Sequence, residues 1–129
     1  MSPTIVVVIA GVIENDGRFL VTRRIAGTHL AGLWEFPGGK CEPGEAHDAC
    51  LARELREELG VEARVGREIM TIDHSYPERT VRLHFLSCSV EGAPVGLLGQ
   101  EIRWVTRTEL STLDFPEADR ALIARLAGG

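Results

Sequence analysis

Residues 39–61 read GKCEPGEAHDACLARELREELGV, and the spacing of acids and apolar residues in this stretch decides the fold. Over 46–59, Ala52, Leu55 and Leu59 recur at i, i+3 and i+7, which predicts a helix with one apolar stripe. Gly60 follows where a left-handed C-cap is expected. On that helix Glu54, Glu57 and Glu58 share a second face, since residues three and four apart are neighbours. Like charges in this arrangement repel and weaken the helix. A solvated acidic face is one reading of such a run. Oxygen ligands clustered this way also suit a hard divalent cation such as magnesium. The glycine turn Gly38-Gly39-Lys40 upstream favours the cation, because glycine lets backbone approach the helix closely. The helix is expected to dock its apolar stripe on a core and to turn its carboxylates outward.

Outward from this helix the chain alternates strand-like and turn-like segments. Residues 4–13 are rich in Val and Ile, Asn15-Asp16-Gly17 signals a turn, and Phe19-Leu20-Val21-Thr22 resumes strand character, which together predict a β-hairpin. Trp34-Glu35-Phe36-Pro37 reads as a short extended piece running into the glycines. Residues 61–72 and 79–88 are expected strands, separated by Ser75-Tyr76-Pro77-Glu78. A loop spans 91–99, a short strand 102–105, a helical turn 108–113, and a terminal helix 116–126 with Pro116 in its first turn. This order predicts one α/β domain over residues 1–129, a mixed sheet with helices packed on it.

With 129 residues, 44% hydrophobic and 26% charged, the chain has the balance of a globular domain that folds without a metal. A net charge of −5 argues against a general nucleic-acid binder, but not against a small anionic substrate held through a metal. Cys41, Cys50 and Cys88 are odd in number and lack CxxC spacing, so neither a disulfide framework nor a zinc site is expected. Reduced thiols and a cytoplasmic location fit better. The apolar 5–13 stretch lacks a basic leader and runs into Glu14-Asn15-Asp16, unlike a signal peptide, and no stretch is long enough to span a membrane. Monomer and homodimer are both compatible with the sequence.

The acidic helix and its glycine lead-in together resemble the Nudix box. That family pattern runs Gly, five residues, Glu, seven residues, Arg-Glu, apolar, any, Glu-Glu, any, Gly, apolar. Gly39, Glu45, Arg53-Glu54, Leu55, Glu57-Glu58, Gly60 and Val61 match it at every defined position. Trp34 to Lys40, Thr22-Arg23-Arg24, Tyr76-Pro77-Glu78-Arg79 and Asp114-Phe115-Pro116 are similar to stretches of MutT-type members, so the likeness covers nearly the whole chain. The resemblance implies a Nudix α/β/α sandwich with a mixed sheet. It also implies magnesium-dependent hydrolysis of a nucleoside triphosphate to a monophosphate and pyrophosphate, with manganese as an alternative metal.

Carried over position by position, the resemblance implies that Gly39, Glu54, Glu57 and Glu58 hold the metal. Glu54 would also be the general base, with Arg53 positioning it. Glu45 would support the loop or the metal, although an acid at a helix N-terminus is also favoured by the macrodipole alone. Arg24 and Arg79 match basic positions that contact the nucleotide in MutT-type members. Beside that likeness, Lys40 could bind phosphate, and Phe36 and Leu83 could line a base pocket or belong to the core. One position departs from the MutT pattern. Where those relatives carry another metal-binding glutamate, this chain has Leu98, and Glu101 is the nearest acid able to replace it.

The base is read outside the box. Asp119 falls where MutT-type enzymes specific for 8-oxoguanine have an asparagine, whose amide both donates and accepts. An ionised aspartate only accepts, which suits an exocyclic amine. Relatives that prefer cytidine triphosphates, including 5-methylated ones, carry an aspartate near this point. Three functions therefore stand: an 8-oxo-dGTP diphosphatase, a pyrophosphohydrolase of (d)CTP or 5-methyl-dCTP, and a Nudix-fold nucleotide-binding module without turnover.

Overall fold

The computed structural model describes residues 4–128. Strand β1 (Thr4–Asn15) forms the spine. It turns through Asp16 (φ 51) and Gly17 (φ 75) into β2 (Arg18–Arg23). Two successive positive φ values give the hairpin turn whose twist matches its strands, and Asp-Gly accepts both. Two short strands follow, β3 (Trp34–Glu35) and β4 (Gly38–Lys40), then helix α1 (His47–Leu59). The long strands β5 (Glu62–Tyr76) and β6 (Arg79–Glu91) make a second hairpin, followed by β7 (Ile102–Thr106). Helices α2 (Arg107–Leu110) and α3 (Arg120–Ala127) close the chain, with a 3-10 turn at Glu117–Asp119 between them.

The sheet is mixed. β1 runs parallel to β6, from Thr4 opposite Arg79 to Ile13 opposite Cys88, and antiparallel to β2 and β4. β5 lies antiparallel on the outer side of β6, and β2 pairs with both β3 and β7. The alternation of β1 builds two cores. Ile9 and Ile13 face α1 with Leu20, Leu86 and Cys88, and there meet Cys50, Leu51, Leu55 and Leu59. Ala10 and Val12 face the other way with Phe19, Val21 and Phe85, and there meet Leu110 of α2 and Leu122 of α3. A sheet buried on both faces between helices is the expected α/β/α sandwich.

Details of the sequence expectation change. The helix begins at His47, with Ala46 as N-cap, and its buried stripe is Leu51, Leu55 and Leu59 with Cys50, while Ala52 is only half-buried. Gly60 adopts the expected left-handed cap (φ 68). β5 runs on to Tyr76, so Ser75 and Tyr76 belong to the strand and the turn is Pro77-Glu78 alone. The C-terminal helix starts at Arg120 rather than Pro116.

The thiol expectation also changes. Cys41 and Cys50 are joined by a disulfide, with Cα atoms 5.3 Å apart. The turn after β4 folds back on the first turn of α1 and brings together two residues whose spacing carries no signal. Cys88 is the free thiol, buried, with its pKa pushed up to about 11 by that burial.

Leu55 is fully buried at the centre of the α1 interface. Leu55→Ala should cost about 3 kcal/mol in urea unfolding, the usual loss for a deleted core side chain. A loss below about 1 kcal/mol would show that α1 does not depend on this contact.

Candidate active site

The site begins with a close approach of backbone to helix. β4 pairs with β1 through Ile9 opposite Gly39 and Ala10 opposite Gly38. A Cβ on Gly39 would stand 2.4 Å from Glu54 Oε2, and one on Gly38 would stand 1.9 Å from the Ile9 carbonyl oxygen. A side chain at Gly38 would push β4 away from β1, and one at Gly39 would displace the Glu54 carboxylate.

Arg53 organises the acids around this contact. Its Nε and Nη2 each donate to Glu45 at 2.8 Å, its Nη1 donates to Glu54 at 3.1 Å and Glu57 at 3.4 Å, and Nη2 also donates to the Lys40 carbonyl at 3.2 Å. The guanidinium fork suits this bidentate carboxylate geometry. Hydrogen bonds from Arg53 and the Glu42 backbone bring the Glu45 carboxyl down to about 2. Glu45 thus ties the loop before α1 to the helix rather than acting as a free N-terminal acid.

The three helix carboxylates are not equally outward. Glu57 is 58% exposed, but Glu54 only 14%. Burial raises the Glu54 pKa against the opposing pull of Arg53. Glu58 is pushed up to about 8, first by burial and then by Glu54 and Glu35. The helix therefore tucks two carboxylates towards β4 and leaves one in water. Crowded, partly dehydrated oxygens beside a glycine backbone are a donor set that fits a hard divalent cation.

A cleft of about 400 Å³ opens from this cluster on the face of the sheet away from α1. Arg24, Phe36, Gly39, Lys40, Glu58, Arg79, Leu83 and Asp119 all line it, so the structure brings together residues spread over most of the chain. Lys40 and Arg79 make no ion pair among the described residues. Arg24 donates to Glu35 Oε1 at 2.8 Å and to the His29 carbonyl. Phe36 is both wall and core, stacked on Phe115 at 5.4 Å and edge-on to Phe85. Asp119 is 6% exposed and makes no side-chain hydrogen bond as cap of α3. Burial, with a smaller contribution from Glu35, pushes its carboxyl up to about 7.

Glu101 is exposed and pairs with arginines of β2 and β7. It lines neither this cleft nor the adjoining recess of about 160 Å³, and lies 3.6 Å from Arg23 and from Arg103. Gln100 takes the inward place, donating from Nε2 to the Glu58 carbonyl at 3.1 Å and accepting from the Leu98 amide at 2.8 Å. Leu98 and Gln100 both border the recess beside Glu58.

Glu35 was overlooked by sequence reasoning. Its pKa is raised by burial against the opposing effect of Arg24, and its charge acts on both Glu58 and Asp119. The available signal was a lone acid between the apolar residues Trp34 and Phe36, directly before the glycine turn.

The NUDIX domain profile matches residues 8–125 of the chain. The protein belongs to the NUDIX domain family. A relative from Escherichia coli K12 named 8-oxo-dGTP diphosphatase is 37% identical over 118 residues, covering 90% of this chain and 92% of its own. A putative 8-oxo-dGTP diphosphatase 2 of Mycobacterium tuberculosis is 41% identical over 128 residues, covering 94% and 87%. A CTP pyrophosphohydrolase of E. coli K12 is 48% identical over 77 residues, 60% of this chain and 57% of that one. Among solved structures, the E. coli ORF135 protein superposes with a TM-score of 0.84 at 36% identity, over 94% of this chain and 87% of that one. Nudix hydrolases generally use a divalent metal, in keeping with the oxygen donors around Gly39.

The raised Asp119 carboxyl has a stability consequence. Its folded pKa of about 7 lies above the unfolded value of 3.8, so the folded form holds a proton that the unfolded form has lost. Its stabilising contribution is present at low pH and is lost as pH rises through about 7. Thermal melts should therefore show Asp119→Asn gaining on wild type at pH 8 relative to pH 5, by roughly 4 °C or more for each kcal/mol. An equal gap at both pH values would show that Asp119 ionises normally.

Proposed function

We propose that this protein is a magnesium-dependent nucleoside triphosphate pyrophosphohydrolase that clears 8-oxo-dGTP from the nucleotide pool of the cytoplasm. The observation that carries the reading is one continuous cleft with the Gly39–Glu58 oxygen cluster at one end and buried Asp119 at the other. Relatives that are 37% and 41% identical over most of their length carry the 8-oxo-dGTP diphosphatase name.

In this reading the Gly39 carbonyl, Glu54, Glu57 and Glu58 would hold the metal. The bound cation would neutralise phosphate charge and make a water more acidic. Glu54, beside the Gly39 backbone, would accept the proton of the attacking water. Arg53, held by Glu45 through Nε and Nη2, positions the Glu54 carboxylate through Nη1. Lys40 and Arg79 offer unpaired cations to the phosphates, and Arg24 reaches the same cleft from Glu35. Phe36 and Leu83 supply apolar wall for the base. Water attacks the β-phosphorus, and the nucleoside monophosphate leaves from pyrophosphate.

Asp119 supports the base assignment through its protonation. Near neutral pH the acid form is well populated, and a carboxylic acid both donates and accepts, as an asparagine amide does. It can therefore meet a base edge that presents one acceptor and one N–H, such as that of 8-oxoguanine. The ionised form only accepts and favours the exocyclic amine of cytosine, which supports (d)CTP or 5-methyl-dCTP as the second reading, together with the CTP pyrophosphohydrolase relative.

A kcat/KM panel over 8-oxo-dGTP, dGTP, CTP, dCTP and 5-methyl-dCTP, read as magnesium-dependent pyrophosphate release, should rank 8-oxo-dGTP first. A cytidine nucleotide at the top would favour the second reading. Nucleotide binding without turnover would leave a binding module. Glu57→Gln should keep its fold and lose activity by on the order of 100-fold or more, the effect of removing a ligand worth several kcal/mol. Full activity in that variant would remove Glu57 from the metal set. Asp119→Asn should shift preference further towards 8-oxo-dGTP, whereas an unchanged substrate order would show that this side chain does not read the base.

A further inference from the structure

A second cluster of metal-ligating side chains lies on the other face of the sheet. Along β6, Val81, Leu83 and Phe85 line the cleft. The alternate residues point the opposite way, and Leu86 packs among the buried side chains of α1. His84 lies on this second face, with its ring 4.4 Å from that of His47 in the first turn of α1. Glu68 of β5 completes the group, its carboxylate meeting His84 Nδ1, and Thr71 Oγ1 stands 3.2 Å from the same nitrogen.

The local backbone is built for this meeting. Glu68 and Thr71 are three residues apart, so in a regular strand their side chains would leave on opposite faces. The β5–β6 register shifts on either side of Glu68, which sets Glu68 opposite Leu86 and Thr71 opposite His84. A β-bulge re-aims side chains in this way. Nothing in the hydrolytic chemistry uses the three residues. His84 is 13% exposed and held by its neighbours, whereas Glu68 is 45% exposed and His47 lies at the surface, where both can adjust.

We propose that His47, Glu68 and His84 form a second metal site, selective for a zinc-type divalent ion, on the face of the sheet opposite the cleft. One donor atom from each residue lies within 4.8 Å of the other two. Tetrahedral bonds of about 2.0–2.2 Å place ligands roughly 3.3 Å apart, so closure needs side-chain rotation rather than backbone movement. Two imidazole nitrogens and one carboxylate oxygen suit zinc and disfavour magnesium, which takes oxygen and keeps its water. The ion fastens the first turn of α1 to the β5–β6 hairpin and keeps one coordination position for water. The other such group, Cys41 with Glu45 and Cys50, is unsuited to zinc while its two sulfurs are bonded to each other.

Zinc alone is the probe. Metal-free protein with the Cys41–Cys50 bond intact is held in excess magnesium, which occupies the oxygen cluster, and titrated with zinc against a chromophoric chelator. One zinc per chain should bind wild type, and His47→Ala and Glu68→Gln should each bind at least about ten-fold more weakly. Glu57→Gln should bind as wild type does. Circular dichroism separates lost binding from lost fold, and cobalt in place of zinc should give a four-coordinate visible spectrum that His47→Ala abolishes. Absence of zinc binding to wild type would overturn the proposal. So would equal affinity in His47→Ala and Glu68→Gln, or a loss confined to Glu57→Gln.

Discussion

The close contact between the Gly39 backbone and the Glu54 carboxylate lies where sheet and helix meet. It is open only because Gly39 has no Cβ, and every other part of the acidic cluster is arranged around it. Arg53 bridges the gap, reaching the Lys40 carbonyl on one side and three glutamates on the other. Without that guanidinium, Glu45, Glu54 and Glu57 would lose the one cation they share. With it, the helix can be pressed against β4 by its apolar stripe while its carboxylates stay beside the glycine turn.

Burial and charge then divide the carboxylates by task. Glu45 is drawn down by hydrogen bonds and stays ionised, as befits a strut. Glu54, Glu58 and Glu35 are all raised by dehydration, a cost that a cation relieves. Asp119, at the other end of the cleft, is raised too, but its second influence is Glu35 rather than the helix. Glu35 therefore acts electrostatically on both Glu58 and Asp119.

Much of this was legible in the sequence, and the misses share a cause. The α1 stripe, the Asp16-Gly17 hairpin and the Gly60 cap follow from local periodicity and backbone preference, which a single sequence carries. Arg24, Lys40, Arg79 and Asp119 lie far apart in the chain, and only family likeness pointed to a common site; the cleft brings them together. What a sequence does not carry is which way a side chain leaves a loop or an irregular strand. Charge singles out Glu101 near Leu98, while Gln100 turns inward to the end of α1. The Cys41–Cys50 bond depends on how the turn after β4 folds back, and the bulge at Glu68 leaves no mark in hydrophobic alternation.

The parallel pairing of β1 with β6 has a consequence for how the protein is made. β1 finds this partner only after the chain through β6 has been made, since Thr4 aligns with Arg79. Local hairpins close early, but non-local parallel pairing pays its loop-closure entropy before any contact rewards it. Until then the edge of β1 that pairs with β6 is open, and unpaired strand edges of this kind are prone to aggregate. The cleft, walled by Val6 and Val8 on one strand and Val81 and Leu83 on the other, cannot exist before that late step.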